Sequence, residues 1–170
     1  MSIVQTFPAS GRSPNVVMAF TIPDDMAPPL RQITKIWERL RLLRTDMPLV
    51  EDFDLTLLCD HEGHILVVDV ADQPSSFRIE TAGWWVVEFY GEPLAGHEVK
   101  KAEDRPPLED LWIQCMAAIT DRRPVFYRHN TDAMAYDRAV YPLWGDGAVE
   151  KLVVAITQLP SAPDGASETA

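Results

Sequence analysis

Asp60-His61-Glu62-Gly63-His64 places two imidazoles among two carboxylates, the ligand types that zinc or nickel takes. The two histidines lack the spacing of a helical His-Glu-x-x-His site, so the run reads as a solvated turn and no metal is expected. Cys115 falls on the apolar stripe of a predicted helix, where a thiol is a small hydrophobe rather than a nucleophile, and Cys59 reads the same way. His97 follows a glycine and His129 ends a predicted strand, positions that suit surface or capping roles. Asp69 and Asp137 are the carboxylates that a pocket enzyme would need as proton acceptor, and neither has a sequence neighbour that nominates it. Trp37, Trp84, Trp85, Trp112 and Trp144 supply large apolar area with a polar N–H handle. No residue is nominated as catalytic, and no cofactor is expected.

The elements that must position these residues follow from spacing. Residues 1–27 mix Ser, Pro and Gly with short apolar pieces and read as a loosely ordered arm with at most one short strand, around Val16 to Phe20. Pro28-Pro29 opens a helix in which Leu30, Ile33, Trp37 and Leu40 recur at three and four residues, the segment 28–45 presenting a basic outer face. Met47-Pro48 ends it. Phe53 to Cys59 is a short helix or extended piece, and strands are expected over His64 to Val70 and Ser76 to Ala82. Trp84 to Tyr90 is a short helix stopped by Gly91, and Glu92 to Lys101 is a connector. Pro106-Pro107 opens a second long helix with Leu108, Leu111, Cys115 and Ile119 on one stripe, stopped after Arg122-Arg123 by Pro124. Three strands complete the pattern: Val125 to His129, Met134 to Leu143 and Val149 to Leu159, the last two joined through Gly145-Asp146-Gly147. Pro142 belongs at a strand end or bulge, because it cannot donate to a ladder. Residues 160–170 carry no large apolar side chain and read as a disordered tail.

The chain has 170 residues, 46% of them hydrophobic, so the segment 28–159 is large enough for one domain with its own core. Two cysteines are too few for a disulfide scaffold, and no signal peptide is legible, so a cytoplasmic location is expected. No apolar run approaches the ~20 residues that span a bilayer, so no integral membrane segment is expected. A net charge of −11 repels a phosphate backbone and argues against nucleic acid. The charge is uneven, since Arg31, Lys35, Arg39, Arg41 and Arg44 cluster with the single acid Glu38.

Two strands, short helices, a long helix and a three-strand meander fold readily as an α+β five-stranded antiparallel sheet with helices over one face. On Phe77-Arg78-Ile79-Glu80-Thr81-Ala82-Gly83, Phe89-Tyr90-Gly91-Glu92-Pro93-Leu94-Ala95-Gly96-His97 and Tyr136-Asp137-Arg138-Ala139-Val140-Tyr141-Pro142-Leu143, the chain resembles the PAS-like sensory domains. It is most similar to the small stand-alone bacterial PAS-like group, over about residues 35 to 157. It departs from that group at Glu80 and Asp137, where the group tends to be basic, and at Trp84, where the group tends to have Thr; the two acids argue against an anionic ligand. The light-sensing flavin members' Asn-Cys-Arg-Phe motif is missing, and the long helix lacks the axial histidine of haem-binding members.

The resemblance implies a regulatory module acting in signal transduction, not an enzyme, that binds a small molecule or a signalling partner protein. It implies a cavity between helices and sheet, for which Trp84, Phe89, Leu111, Cys115, Tyr127 and Tyr141 are the expected ligand-binding residues. It also implies that the basic helix pairs with a partner or a second copy, a homodimer, through Leu30, Ile33, Trp37 and Leu40. Output must then pass to another protein by differential binding of two states. The rivals are a small α+β pocket enzyme of the isomerase or cyclase kind and a ligand-free interaction protein.

Overall fold

The structure, a computed structural model, describes residues 23–43, 46–71 and 76–160. Most of the expected arm and nearly all of the expected tail lie outside the described residues. Helix α1 (Pro28–Arg41) starts with prolines where a helix has N–H groups to spare and leads to two 3-10 stretches, Val50–Asp52 and Leu55–His64. Strands β1 (Ile65–Val70) and β2 (Phe77–Ala82) follow, then α2 (Trp84–Tyr90) and α3 (Leu111–Asp121). Strands β3 (Val125–Asn130), β4 (Ala135–Trp144) and β5 (Val149–Gln158) close the chain. Gly91 ends α2 at φ 91°, a left-handed conformation that only glycine adopts without strain.

The five strands form one antiparallel sheet in the order β2-β1-β5-β4-β3. The late strand β5 enters between β1 and β4, which ties both ends of the domain together. Pro142 lies in β4 opposite Leu152, past the last pairing of β4 with β3 at Val140 and Val125, so no ladder runs along that edge.

The sheet is covered on both faces, not on one. Along β4, Tyr136 and Arg138 point toward α2 and α3, whereas Asp137 and Tyr141 point toward α1. Because each face meets a helix, nine consecutive β4 residues, Ala135 to Leu143, are buried and the usual alternation of inside and outside is lost. Leu30, Ile33 and Trp37 of α1 are buried against the sheet, each worth about 2–3 kcal/mol of apolar transfer.

Helix α3 starts at Leu111 rather than directly after Pro106-Pro107. Asp110 sits at φ 56°, which breaks the helical path, and Arg138 holds the preceding carbonyls of Pro107 and Glu109 in place. The residues around His61 to His64 form 3-10 structure, not a simple turn, and β1 begins one residue later than expected.

Candidate functional site

Three cross-strand rows between β3 and β4 organise the buried polar groups, and Glu109 and Gln114 reach them from before and within α3: Tyr127 opposite Arg138, Arg128 opposite Asp137, and His129 opposite Tyr136. Alternation sends the first and third rows to the α3 face and the middle row to the α1 face.

On the α3 face the fully buried Arg138 guanidinium donates to Gln114 Oε1 at 2.6 Å, to the Pro107 carbonyl at 2.6 Å and to the Glu109 carbonyl at 2.8 Å. It also lies over the Tyr127 ring, 4.5 Å from its centroid. Gln114 in turn donates to the carbonyls of Val125 and Arg138 at 2.9 and 3.1 Å, fixing α3 to both strands. Two of the Arg138 contacts, to the Pro107 and Glu109 carbonyls, pin the loop that carries Glu109, and the third holds Gln114 on α3.

Glu109 is 3% exposed, and its Oε1 accepts from the Tyr127 hydroxyl at 3.3 Å and from the Tyr136 hydroxyl. His129 Nδ1 stands 2.7 Å from the same oxygen, at ion-pair distance but without hydrogen-bond alignment, and its ring stacks on Tyr136 at 4.9 Å. Oε2 of Glu109 has no hydrogen-bond partner among the described residues. Burial pushes the Glu109 carboxyl up from its ordinary range, partly offset by Arg138 and His129. Burial pulls Arg138 down and pushes the Tyr127 hydroxyl up. The cluster can therefore hold a proton at Glu109, with the Tyr127 and Tyr136 hydroxyls and His129 gathered around Oε1 and Oε2 left to accept a further donor.

On the α1 face Arg128 donates from Nε to Asp137 Oδ1 at 2.7 Å and from Nη2 to Oδ2 at 3.1 Å, a bidentate pair, and reaches Asp25 at 2.9 Å. Asp137 Oδ2 also accepts from the backbone N–H of Ala27 at 3.3 Å, just before α1. The Tyr141 hydroxyl, its pKa pushed up by burial, meets Thr34 Oγ1 at 2.9 Å and donates to the Leu30 carbonyl at 3.1 Å.

Of the residues expected to bind a ligand, Leu111, Cys115 and Tyr127 are buried on the α3 face, and Phe89 reaches it edge-on to Tyr136 at 6.1 Å. Trp84 is 68% exposed and stands over Gly63, so it lines no interior space; Trp85 turns inward, stacking on His64 at 4.4 Å. Tyr141 is on the opposite face of the sheet. Leu30, Ile33 and Trp37, expected to meet a partner, are spent inside the chain's own core, and Leu40 packs against that core half-buried. His61 meets Gln32 at 3.0 Å while His64 meets the Ile156 carbonyl at 3.1 Å, two separate structural roles. Asp69 is half-buried, at ion-pair distance from Lys151. Glu109 escaped sequence reasoning because it precedes a helix in a proline-rich stretch; the alternating polar residues Tyr127, His129, Tyr136 and Arg138 on adjacent strands were the available signal.

Two surface clefts lie elsewhere. One of about 70 Å³ lies beside Ile79, Tyr90 and Leu108, and a more open one of about 360 Å³ lies between Leu49, Val50 and Trp144. No helix among the described residues is long and apolar enough to cross a membrane. Comparison with family models, with curated proteins and with solved structures finds no match.

Proposed function

We propose that this chain is a PAS-like regulatory module that reads a small molecule or protein signal at the Glu109 cluster and passes it to a partner through α1. The observation that carries this reading is the interleaving of rows: the His129–Tyr136 pair on the cluster face is the immediate neighbour of the Arg128–Asp137 pair that holds the start of α1. A change at one row moves the backbone of the other, because both rows share the same two strands. The strand, strand, helix, three-strand order of the sheet is in keeping with the family resemblance.

A signal can shift α1 only through differential affinity for its two positions. Tyr136→Phe removes one donor to Glu109 without touching the α1 face. Hydrogen exchange should then quicken at the amides of Ala27 and Arg31, the latter bonded to the Ala27 carbonyl, although both lie across the sheet. Unchanged protection there would remove the coupling on which the reading rests. Native mass spectrometry with an absorption spectrum, on protein as purified, asks the complementary question: extra mass lost on denaturation identifies the small-molecule form of the signal.

The unpartnered Oε2 of Glu109 favours a second reading, a pocket enzyme with Glu109 as proton acceptor in place of Asp69 or Asp137. In that case a small molecule captured in the native spectrum is lost or chemically unchanged in Glu109→Gln, while exchange at Ala27 is indifferent to Tyr136→Phe.

A further inference from the structure

Helix α1 runs beside β4 in the same direction: Ala27 meets Asp137, Leu30 and Thr34 meet Tyr141, and Trp37 donates to the Pro142 carbonyl at 2.9 Å. A further turn of helix, at about 1.5 Å per residue, brings Leu42 and Leu43 toward the level of Trp144. These two leucines are 75% and 73% exposed. Lys35 and Arg39 precede them on the same outward ridge at helical spacing, and among the described residues neither meets a carboxylate at ion-pair distance.

The larger cleft opens at this same end of the molecule, where Leu49 bridges Trp144 and the Trp144 N–H donates to the Pro48 carbonyl. Its walls are Leu49, Val50 and Trp144, and its rim carries Glu51, Asp146 and Glu150. Among the described residues no cation stands at ion-pair distance from any of the three carboxylates. One end of the chain therefore pairs a basic ridge tipped by exposed leucines with an apolar cleft edged by unpaired acids, and each patch faces outward.

We infer that the α1 tip of one copy docks into the Leu49–Trp144 cleft of a second copy, reciprocally about a two-fold axis. An isologous interface uses the same self-complementary surface on both copies, and two mutually complementary patches close together on one surface, as at this end, can each meet its counterpart across the axis. Leu42 and Leu43 enter the cleft, which at about 360 Å³ has room for them, while Lys35 and Arg39 meet Glu51, Asp146 and Glu150. The dimer contact thus moves from the buried stripe of α1 to its exposed ridge. The inference stands on the surface alone and does not depend on the regulatory reading.

Sedimentation velocity of the full chain over a concentration series tests it. A dimer of the 19.1 kDa chain is expected. Leu42→Asp with Leu43→Asp should weaken it at least about tenfold, as should Lys35→Glu with Arg39→Glu, and Asp146→Lys with Glu150→Lys. Combining the two charge reversals should restore most of the lost affinity, which a merely structural defect would not do. Circular dichroism should be unaltered in each variant, since all these side chains are exposed or at the surface rim. A chain that stays monomeric throughout the series overturns the proposal, whether the leucines are then covered by residues 1–22 or by another protein. So does a dimer indifferent to the leucine substitutions, or a charge swap without rescue.

Discussion

Arg128 and Asp137 face one another across β3 and β4 as a bidentate pair in which the acid is fully buried and the arginine is about one-third exposed. The pair is the point where the sheet grips the start of α1, because Asp137 also takes the Ala27 N–H. Its strength is fed from both sides: Asp137 and Asp25 together hold the Arg128 guanidinium more firmly protonated than usual.

Arg128→Ala leaves the Asp137 carboxylate buried with only the Ala27 N–H. Removing one partner of a buried pair costs about 3 kcal/mol, the lower end of the usual range because Arg128 keeps some water. Urea unfolding should show that loss, and Arg128→Ala with Asp137→Ala should cost less than the sum of the single changes. Additive losses would show that the pair carries no coupling.

Glu109 sets the pH response of the α3 face. Its folded pKa is raised above 4.5, so the folded chain holds this proton more tightly than the unfolded chain. The stability it contributes is fully present below 4.5 and is lost as pH rises through the raised folded value. Glu109→Gln abolishes the titration, so the stability of wild type relative to the variant should fall across that window and level off above it. Urea midpoints at stepped pH measure this, and a difference that grows with pH contradicts it.

Cys115 is fully buried on α3, and its thiol is pushed up to about 12 by burial. A maleimide should modify it only when the chain opens. Peptide mapping of the labelled protein should show Cys115 modified at the rate of unfolding, and rapid labelling under native conditions would show that α3 opens locally.

Trp37→Ala is a core substitution here, not an interface one. The indole is 1% exposed and its Nε1 donates to the Pro142 carbonyl. The loss should be about 3–5 kcal/mol of stability, read as a lower melting temperature. A folded chain of unchanged stability would mean that α1 is not docked as described.

The β elements were legible because their signals are local: β-branched runs, the glycines flanking the last hairpin and the proline stops are properties of neighbouring residues. The α+β class with a five-stranded antiparallel sheet follows from the order of elements, whereas the strand order β2-β1-β5-β4-β3 rests on the long-range pairing of β5 with β1. What sequence alone left undetermined was which side of the sheet each residue serves. Tyr141 and Tyr127 look equivalent as strand aromatics, yet they lie on opposite faces, because α1 covers one face and α3 the other. Trp84 and Trp85 are adjacent and identical, and only the packing of α2 on the Leu55–His64 stretch turns Trp85 inward onto His64. Glu109 became the centre of the polar cluster because Arg138, distant in sequence, captures the carbonyls of its loop. Periodicity encodes that a face is apolar, since that depends on nearest neighbours along one element. Which element covers that face, and which buried charge meets which, depends on long-range packing between segments that only the folded chain brings together.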